Sequence, residues 1–441
     1  MIAAPKSGSG KTLITCALLR LLQKKGKNPA SFKCGPDYID PLFHEQVLSL
    51  PSTNLDSYFS SEEEIKSIFA RNFTENHCDS AVIEGVMGFF DGLAGRSSQA
   101  SSYEIAAFTK CPVILVIDGR GMSRSILALI KGFCSLEKEN LIAGIILNKV
   151  TKSTFLLQKK LIEEELKLPL LGFLPEDSAL SWQSRHLGLF LPFQIKDLNK
   201  QIDAAAQILE ENLDFKKLDE IMNSSPDLDF NECQSFPGSI KKALPENFTL
   251  AIAKDQAFCF YYRENIRLLE NLGVKIKYFS PLNDQNLPQS DACLFGGGYP
   301  ELYAKELEEN RAMRSQIKDA VKSGKKILAE CGGFMYLQNY LRLENGENFQ
   351  MCGAIEGESF FTGKLLRFGY AEFTCKNGGA KIKGHEFHYF DSSNNGQAFK
   401  AEKPLSSKSW DCMIFEKNIL AGYPHLYYPS NPDFIAEFLS R

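Results

Sequence analysis

The sequence predicts an α/β fold of two domains, each a mainly parallel sheet flanked by helices. The chain has 441 residues, roughly three times the length of an average domain. Short apolar segments alternate with longer segments of helical periodicity, which is typical of crossover units in a parallel sheet. Between about Asn212 and Asn247 this alternation stops, and Asn, Ser, Asp, Lys and Pro dominate. We therefore predict a first domain over residues 1–211, a linker over 212–247 and a second domain over 248–441.

The composition is that of an ordinary globular protein. Hydrophobic residues make up 44% and charged residues 24% of the chain, which excludes a disordered or collagen-like protein. The formal net charge is −4 and basic residues never run beyond a pair, so we expect no nucleic-acid partner. No apolar stretch approaches the roughly 18 residues of a membrane span, so we expect no membrane partner. The twelve cysteines contain no C-x-x-C pair, which favours buried thiols in a reducing cytoplasm.

Strands and helices alternate through the first half. Strands are predicted where residues are apolar and β-branched, and helices where apolar residues recur at helical spacing. The strands are predicted at Met1–Ala4, Val82–Ile83, Pro112–Ile117, Ile142–Leu147 and Leu168–Pro175, and the helices at Tyr103–Phe108 and Ser125–Phe133. Strands joined by helices in this order form a parallel sheet.

A glycine-rich loop follows the first strand and directly precedes a helix. It consists of Ser7, Gly8, Ser9, Gly10, Lys11 and Thr12. Glycines let backbone N–H groups converge on phosphate oxygens, and the helix N-terminus adds its dipole. In such a loop Lys11 neutralises the β- and γ-phosphates and Thr12 ligates Mg²⁺, so the sequence predicts nucleotide binding. Pro5 stands where the full motif has its first glycine, which makes the loop a variant. The alternative is a glycine-rich turn without function.

Acidic residues elsewhere in the first half are candidates for metal binding and phosphoryl transfer. Asp37 and Asp40 stand three residues apart just after Lys33, which groups a cation and two carboxylates on one loop. Turn chemistry alone also favours Asp at such positions. Glu84 ends a buried strand and Asp91 follows in a glycine-rich turn, where an acid commonly supplies a second Mg²⁺ ligand. The alternative for both acids is a helix N-cap.

Two further residues of the first half allow more than one interpretation. Asn148 closes a strand and is a candidate for contacting an adenine edge, although an Asn-Lys pair is common. Lys6 lies five residues before Lys11, as in the loops of dimeric ATPases that reach a partner's nucleotide. The alternative is a solvated loop lysine, so a homodimer stays open.

The second half repeats this alternation and then changes character. Strands are predicted at Thr249–Lys254, Ala292–Phe295 and Lys326–Ala329, and a helix at Asn265–Leu272. After Gly353, shorter alternating runs indicate antiparallel strands. These are predicted at Gly369–Thr374, Lys381–Tyr389 and Met413–Ile419, and a terminal helix at Pro432–Arg441.

Cys331 is the candidate nucleophile of the second half. It follows a predicted strand and precedes the helix-like segment Phe334–Tyr340. A cysteine on a tight strand-to-helix turn is exposed, has its pKa lowered by the helix N-terminus and has backbone N–H groups nearby. Gly332, and Gly297 with Gly298 from an earlier strand end, are the predicted oxyanion donors. The alternative for any cysteine is a small buried hydrophobic residue.

A thiolate of this kind needs a histidine base. His425 follows a strand-like segment and is the candidate. His385 and His388 alternate on one strand face, which is a spacing found in metal sites. No third ligand is evident, so a substrate-binding or structural role is equally open.

Eight motifs, in this order along the chain, resemble the cobyrinic acid a,c-diamide synthase family. They are AAPKSGSGKT, FKCGPDYIDPLFH, VIEGVMGFFDG, SRHLGL, the aromatic run Asp255–Tyr262, FGGGYPE, ECGGFMYL and GHEFHY. The resemblance covers nearly the whole chain. It implies a dethiobiotin-synthetase-like ATP domain followed by a class I glutamine amidotransferase domain. It also implies a ligase of cobalamin biosynthesis that uses ATP, Mg²⁺ and L-glutamine to amidate the a and c acetate side chains of a corrinoid, cobyrinic acid.

The resemblance also implies roles for single residues. The catalytic groups of the synthetase site would be Lys33, Asp37, Asp40, Glu84 and Asp91, and the Mg²⁺ ligands Thr12, Asp37 and Glu84. Cys331 would be the glutaminase nucleophile and His425 its base. Class I amidotransferases usually place Glu two residues after this histidine, and here that position is Tyr427. The third member of the triad is therefore unassigned, with Glu416 and Asp433 as nearby acids.

Other functions stay open on the sequence alone. The same chemistry on another tetrapyrrole, hydrogenobyrinic acid or Ni-sirohydrochlorin, is one alternative. Cobyric acid synthase shares both domains but is usually longer. A partitioning-type P-loop ATPase belongs to a different class of protein. It would explain the loop Ser7–Thr12 but not Cys331 or His425.

Overall fold

The chain divides into two compact units, Met1–Ser235 and Phe236–Arg441. The computed structural model describes residues 1–176, 184–185, 188–229 and 244–440. The linker predicted over 212–247 therefore lies partly outside the described residues, and so does the centre of the SRHLGL motif. The boundaries predicted from the sequence stay a prediction.

The first unit alternates strands and helices along the chain. Its strands are β1 (Ile2–Ala3), β2 (Pro29–Cys34), β3 (Thr53–Leu55), β4 (Ser80–Glu84), β5 (Val113–Asp118), β6 (Ile142–Asn148), β7 (Leu170–Leu174), β8 (Ser184–Arg185) and β9 (Gly188–Leu189). Its helices are α1 (Lys11–Lys24), α2 (Ile39–Leu48), α3 (Glu62–Glu75), α4 (Ser102–Phe108), α5 (Ser125–Ser135), α6 (Lys152–Leu166), α7 (Leu198–Asn212) and α8 (Phe215–Asn223).

Seven of these strands form one parallel sheet in the order β3-β2-β4-β1-β5-β6-β7. The central strands are buried along nearly their whole length, which is why they are rich in Ile, Leu and Val. The carboxyl ends of β1, β2, β4 and β6 meet at the same edge of the sheet. In open α/β sheets this edge is where ligands bind.

The second unit contains the remaining elements. Its helices are α9 (Arg263–Asn271), α10 (Ala304–Glu309), α11 (Arg311–Lys322), α12 (Gly332–Leu337) and α13 (Pro432–Ser440). Its strands are β10 (Thr249–Ala253), β11 (Lys275–Phe279), β12 (Ala292–Phe295), β13 (Lys326–Glu330), β14 (Tyr340–Arg342), β15 (Asn348–Gln350), β16 (Glu358–Cys375), β17 (Lys381–Ser392), β18 (Phe399–Glu402), β19 (Ser409–Cys412), β20 (Ile414–Phe415), β21 (Ile419–Gly422) and β22 (His425–Leu426).

Two sheets build the second unit. The first has the order β11-β10-β12-β13-β21-β20 and is parallel except for its last pair. The second is mainly antiparallel and is dominated by the long pair β16 and β17, with β22 along the far edge of β17. The predicted fold class, two α/β domains with mainly parallel sheets, is confirmed, and so is the change to antiparallel strands after Gly353.

Several elements differ from the prediction. The helix expected over Phe334–Tyr340 ends at Leu337, and Tyr340 opens β14. Helix α8 lies inside the segment expected to be a linker. The eleven cysteines in the described ranges are free thiols, most of them buried, as expected. Within the same ranges, no helix has both the length and the apolar character needed to cross a bilayer.

Candidate active sites

The glycine-rich loop joins β1 to α1 and is held from the end of β6. Gly10 caps the start of α1 with φ of 93°. Asn148 Nδ2 donates to the Ser9 carbonyl oxygen at 2.9 Å, and a Cβ at Gly10 would lie 2.1 Å from the same nitrogen. Glycine is therefore required here twice, for its positive φ and for the close approach of the amide. In this structure the Asn148 side chain, a candidate for contacting adenine, holds the loop through this hydrogen bond.

The Lys11 ammonium group reaches the turn that follows β4. Its Nζ donates to the Met87 carbonyl oxygen at 2.6 Å. Burial, reinforced by the like charge of Lys33, lowers the pKa of Lys11 to about 8. Phosphate oxygens near Nζ would raise that pKa again, because their negative charge stabilises the ammonium ion.

Five side chains form a buried polar cluster beside this loop, called here the Lys33 cluster. They are Thr12, Lys33, Asp40, His44 and Glu84. Lys33 Nζ lies 2.5 Å from Asp40 Oδ2 and 3.1 Å from Glu84 Oε1, and its side chain is only 2% exposed. The Thr12 hydroxyl lies 2.8 Å from Glu84 Oε1 and 3.1 Å from Asp40 Oδ1. The cluster thus joins α1, β2, α2 and β4 at the carboxyl edge of the sheet.

The charges of the Lys33 cluster depend on one another. Burial alone would raise the pKa of Glu84, but the Lys33 charge and hydrogen bonds from His44 and Thr12 hold it well below its ordinary value. Burial opposes the charge on Lys33 as well, yet Asp40 and Glu84 raise its pKa above the ordinary value. Burial, together with the neighbouring charges of Asp37 and Glu84, raises the pKa of Asp40. The cluster therefore holds Lys33 and Glu84 as a buried ion pair with Asp40 as the group that gains a proton most easily.

Two predicted acids lie outside the Lys33 cluster. Asp37 Oδ1 accepts from the backbone N–H groups of Ile39 and Asp40, at 2.7 and 3.1 Å, at the start of α2. Asp91 Oδ2 accepts from the Gly88 backbone N–H at 2.9 Å. The expectation that Lys33 and both aspartates share one loop is wrong, because Lys33 belongs to β2 and Asp40 to the first turn of α2.

His44 is a member of the Lys33 cluster that the sequence interpretation did not include. Its Nε2 lies 2.7 Å from Glu84 Oε2, and its Nδ1 lies 3.2 Å from Ser52 Oγ. The residue is fully buried. A sequence signal was present, since Asp40 and His44 stand four residues apart and so share one face of a helix. The signal was missed because this segment reads as a loop.

The donors beside the loop fit Mg²⁺. The Thr12 hydroxyl and the carboxylates of Asp40 and Glu84 are hard oxygen ligands, which Mg²⁺ prefers. In the described part of the chain, no three His, Cys, Asp or Glu side chains converge as a closed metal site. Mg²⁺ does not require such a site, because it commonly binds through one or two carboxylates together with substrate phosphates and water.

In the second unit, Cys331 lies on a sharp turn between β13 and α12. Its backbone has φ of 45° and ψ of −106°, a conformation rarely adopted by a residue with a Cβ. The Cys331 N–H donates to the Gly422 carbonyl oxygen at 2.8 Å, which ties the turn to β21. A Cβ at Gly333 would lie 2.2 Å from the Phe295 carbonyl oxygen, so the turn also needs glycine there. This is the geometry of a nucleophile elbow.

The surroundings of the Cys331 thiol favour its protonated form. Burial, together with the charge of Glu301, raises the pKa of Cys331 far above its ordinary value, although the Gly332 backbone N–H bonds the sulfur and acts in the opposite direction. The expectation of an exposed cysteine with a lowered pKa is therefore wrong. Cys331 is 7% exposed, and α12 spans only six residues, which limits what its dipole can offset.

The predicted oxyanion glycines gather around the same turn. A Cβ at Gly332 would lie 3.1 Å from Gly298 N and 2.8 Å from Pro300 Cδ, so the two turns are in contact. Gly297 has a different neighbour: a Cβ there would fall 2.3 Å from His425 Cε1. Its carbonyl oxygen accepts from the N–H groups of Cys259 and Phe260. The absence of a side chain at Gly297 makes room for the imidazole.

His425 lies in β22, where it pairs with His385 of β17. The two imidazole rings stack with 5.0 Å between centroids and 17° between planes. Burial, together with the nearby His385 and His388, lowers the pKa of His425 well below its ordinary value. His425 is therefore neutral at rest, which is the state a general base requires.

His385 and His388 do not form a metal site with each other in this structure. His385 Nδ1 lies 3.0 Å from the Tyr262 hydroxyl, and burial lowers the pKa of His385 to about 3. His388 Nε2 lies 2.8 Å from Glu386 Oε2, and its ring stacks on Tyr423 with 4.1 Å between centroids. His385 therefore packs directly on His425, whereas His388 is held by Glu386 and Tyr423.

Glu330 is a second buried acid that the sequence interpretation did not include. It is the last residue of β13 and directly precedes Cys331. Its Oε2 lies 4.0 Å from His425 Nδ1, and its Oε1 accepts from the Tyr428 hydroxyl at 2.9 Å. Glu416, which was considered for this place, is exposed, and Asp433 lies in the first turn of α13.

Family models match both units. Residues 1–190 match the CobQ/CobB/MinD/ParA nucleotide binding domain, and residues 249–432 match the CobB/CobQ-like glutamine amidotransferase domain. Together with the two sites, these matches define a chain that joins a nucleotide-binding domain to a glutamine amidotransferase domain. A solved glutamine amidotransferase also matches 43% of this chain and 96% of its own, with 16% identity and a TM-score of 0.34, a likeness too small to bear on function.

Several full-length relatives carry one name, cobyrinate a,c-diamide synthase. The protein of Fusobacterium nucleatum subsp. nucleatum is 39% identical over 99% of both chains. That of Caldanaerobacter subterraneus subsp. tengcongensis is 38% identical over 100% of this chain and 97% of its own. That of Picrophilus torridus is 37% identical, with the same coverage. The chain belongs to the cobyrinate a,c-diamide synthase family.

Proposed function

We propose that this protein uses ATP and L-glutamine to convert the a and c acetate side chains of cobyrinic acid to amides. The observation that carries the proposal is its family relationship, at 37 to 39% identity over essentially the whole chain. A site for phosphoryl transfer and a site for glutamine hydrolysis, one in each unit, supply the two activities that such a reaction needs. The proposed pathway is cobalamin biosynthesis, and the proposed location is the cytoplasm.

In the synthetase half, ATP activates the substrate carboxylate. A carboxylate does not react with ammonia directly, because hydroxide or oxide is a poor leaving group, whereas a phosphorylated carboxylate loses phosphate readily. We assign Lys11 and the backbone N–H groups of the loop to the ATP phosphates. Lys33 would offset charge on the transferred phosphoryl group. Asp37 and Asp91 are assigned to the same site from the family resemblance alone.

Magnesium fits the same edge of the sheet. Thr12, Glu84 and Asp40 would hold the ion together with phosphate oxygens. Asp40 is proposed here in place of Asp37, the ligand that the family resemblance implied. When bound, Mg²⁺ neutralises developing phosphate charge. Lys33 Nζ, which now bonds both carboxylates, would compete with the ion for the same oxygens and so help to set its affinity.

In the glutaminase half, Cys331 attacks the side-chain carboxamide of glutamine. His425 takes the thiol proton and later gives it to the departing ammonia. The backbone N–H of Gly332, with Gly298 beside it, is assigned to the oxyanion of the tetrahedral intermediate. Hydrolysis of the resulting thioester then frees glutamate and regenerates the thiol.

Mass spectrometry of the products tests the proposal. The purified protein is supplied with ATP, Mg²⁺ and glutamine labelled with ¹⁵N in the amide, and with cobyrinic acid, hydrogenobyrinic acid or Ni-sirohydrochlorin in turn. We expect two labelled amides on cobyrinic acid. If only another macrocycle is labelled, that macrocycle is the substrate and the chemistry stays as proposed. ATP hydrolysis without labelling of any macrocycle would contradict the proposal. Light scattering of the same sample tests the homodimer that Lys6 leaves open.

A further inference from the structure

Glu330 and His425 form a buried acid–imidazole pair directly beside the proposed nucleophile. Glu330 is 6% exposed and His425 is 2% exposed. Glu330 Oε2 faces His425 Nδ1 at 4.0 Å. The other carboxyl oxygen is fixed by the Tyr428 hydroxyl at 2.9 Å, and the Leu426 backbone N–H also bonds the carboxyl group. The acid is thus held by two donors, and Oε2 is the oxygen on the side of the imidazole.

The position that usually supplies the acid of such a triad, two residues after the histidine, carries a tyrosine here. Tyr427, two residues after His425, packs its ring edge-on against Tyr262 with 5.8 Å between centroids. A phenol carries no full negative charge near neutral pH. A residue from another element can therefore supply the carboxylate for His425. Glu330, at the end of β13, is the acid whose Oε2 faces Nδ1.

We propose that Glu330 is the positioning residue of the glutaminase: its carboxylate closes from 4.0 Å to hydrogen-bonding distance of His425 Nδ1–H in the working enzyme and completes a Glu330–His425–Cys331 triad. The inference rests on the proposed glutamine hydrolysis. An acceptor at Nδ1 fixes the tautomer in which the Nε2 lone pair is free to take a proton. The carboxylate then stabilises the imidazolium that forms. In this triad the acid precedes the nucleophile by one residue instead of following the histidine by two.

The proton balance of the step is simple. The Cys331 proton moves from Sγ to His425 Nε2 as Sγ bonds the carboxamide carbon of glutamine. His425 Nδ1–H stays in place and points to Glu330, which neither gains nor loses a proton. The Nε2 proton then leaves with ammonia as the carbon–nitrogen bond breaks. Glu330 must therefore be ionised before the step begins.

The surroundings of Glu330 make that ionisation depend on pH. Burial raises the pKa of Glu330 to about 8, while the hydrogen bonds from Tyr428 and the Leu426 N–H act in the opposite direction. Other titratable and charged groups also face the triad. They are Tyr261 near Glu330, His385 and His388 near His425, and Glu301 and Glu386 near Cys331. Protonated Glu330 would donate to Nδ1 and leave Nε2–H toward the thiol, which is the inactive tautomer.

Glu330→Gln separates positioning from packing. The glutamine amide has nearly the shape of the carboxyl group, and its oxygen satisfies Tyr428, so its NH₂ group is left facing Nδ1 and selects the inactive tautomer. We expect kcat for glutamine hydrolysis to fall by roughly a hundredfold or more, with KM changed far less. Amidation driven by high ammonia should be retained. Glu344→Gln, an exposed acid of the same unit, is the matched control and should keep the parent kcat.

The pH profile is the second measurement. For the parent protein, kcat for glutamine hydrolysis should rise with pH through the Glu330 pKa, and this rise should be absent in Glu330→Gln. Tyr428→Phe removes a donor to the carboxylate, so the rise should move to higher pH. A parent-like kcat in Glu330→Gln, or a rise that is unchanged in both variants, overturns the inference. Absence of glutamine hydrolysis in the parent protein would instead contradict the proposed function.

Discussion

The imidazole of His425 lies against the α-carbon of Gly297. A Cβ at Gly297 would fall 2.3 Å from Cε1 and 3.1 Å from Nδ1 of the ring. His385 stacks on one face of the ring, with the two ring planes nearly parallel. The proposed base therefore contacts a backbone at its Cε1 edge and a second imidazole on one face, and its orientation depends on both.

Gly297→Ala should damage glutamine hydrolysis and leave the synthetase site intact. The added methyl group cannot coexist with the imidazole in its present place, so the ring must leave the position from which we propose that it acts. We expect kcat for glutamine hydrolysis to fall by roughly tenfold to a hundredfold, equivalent to about 1.4 to 2.7 kcal/mol. Gly132→Ala is the control, because nothing lies within 4 Å of a Cβ there. Equal glutaminase rates in the two variants would contradict the placement of His425.

Cys331→Ser should separate the two activities. The substitution removes the nucleophilic thiol but leaves the phosphate-binding loop unchanged. We expect glutamine-dependent amidation to be lost and ammonia-dependent amidation to persist, measured on the same corrinoid substrate. If ammonia does not rescue the variant, either Cys331 is structural or the two activities are coupled more tightly than proposed.

Substitutions at the synthetase site should have the opposite pattern. Lys11→Ala, Asp37→Asn and Glu84→Gln should each abolish amidation with either nitrogen source, because each acts before ammonia is used. Basal glutamine hydrolysis should continue and serves as the internal control for folding of the second unit. Near-normal ammonia-dependent turnover in any one variant removes that residue from the synthetase site. Asp37→Asn tests the prediction most severely, because the contacts of the Asp37 carboxylate are to backbone N–H groups at the start of α2.

His425 and Tyr427 should differ sharply in their importance. His425→Ala should remove most glutamine hydrolysis, because the thiol proton then has no acceptor. Tyr427→Phe should cost tenfold or less, about 1.4 kcal/mol at most, because the phenol offers no full charge and its ring packs on Tyr262. Steady-state glutaminase assays of the two variants provide the comparison. A loss in Tyr427→Phe as large as that in His425→Ala would contradict this ranking.

The parts of the fold that follow from local pattern could be predicted from the sequence. The strand β12 is apolar throughout and β5 and β6 are apolar up to their last residue, so they could be recognised as buried strands without knowing their neighbours. Strand β2 was missed because it begins with Pro29 and carries Lys33 in its interior. That lysine is tolerated only because Asp40 and Glu84, from other elements, pair with it. A sequence pattern does not show such compensation.

The site residues also divide into those that a local motif predicts and those that depend on distant parts of the chain. Residues in motifs with fixed spacing, such as Lys11 and Cys331, could be found directly. Glu330 and His44 could not be assigned a partner, because Glu330 meets His425 across 95 positions of the chain and His44 meets Glu84 across 40. The pKa of Cys331 was predicted in the wrong direction for a related reason. The dipole of a helix can be inferred locally, whereas burial depends on the whole fold.

The buried, protonated thiol of Cys331 also affects how readily the enzyme is oxidised or alkylated. Peroxide and alkylating reagents attack thiolates much faster than thiols, and exposed cysteines faster than buried ones. Cys331 is shielded on both counts, since burial keeps its proton in place and leaves little of its surface open. The enzyme should therefore withstand oxidative conditions that inactivate cysteine enzymes whose nucleophile is kept permanently ionised.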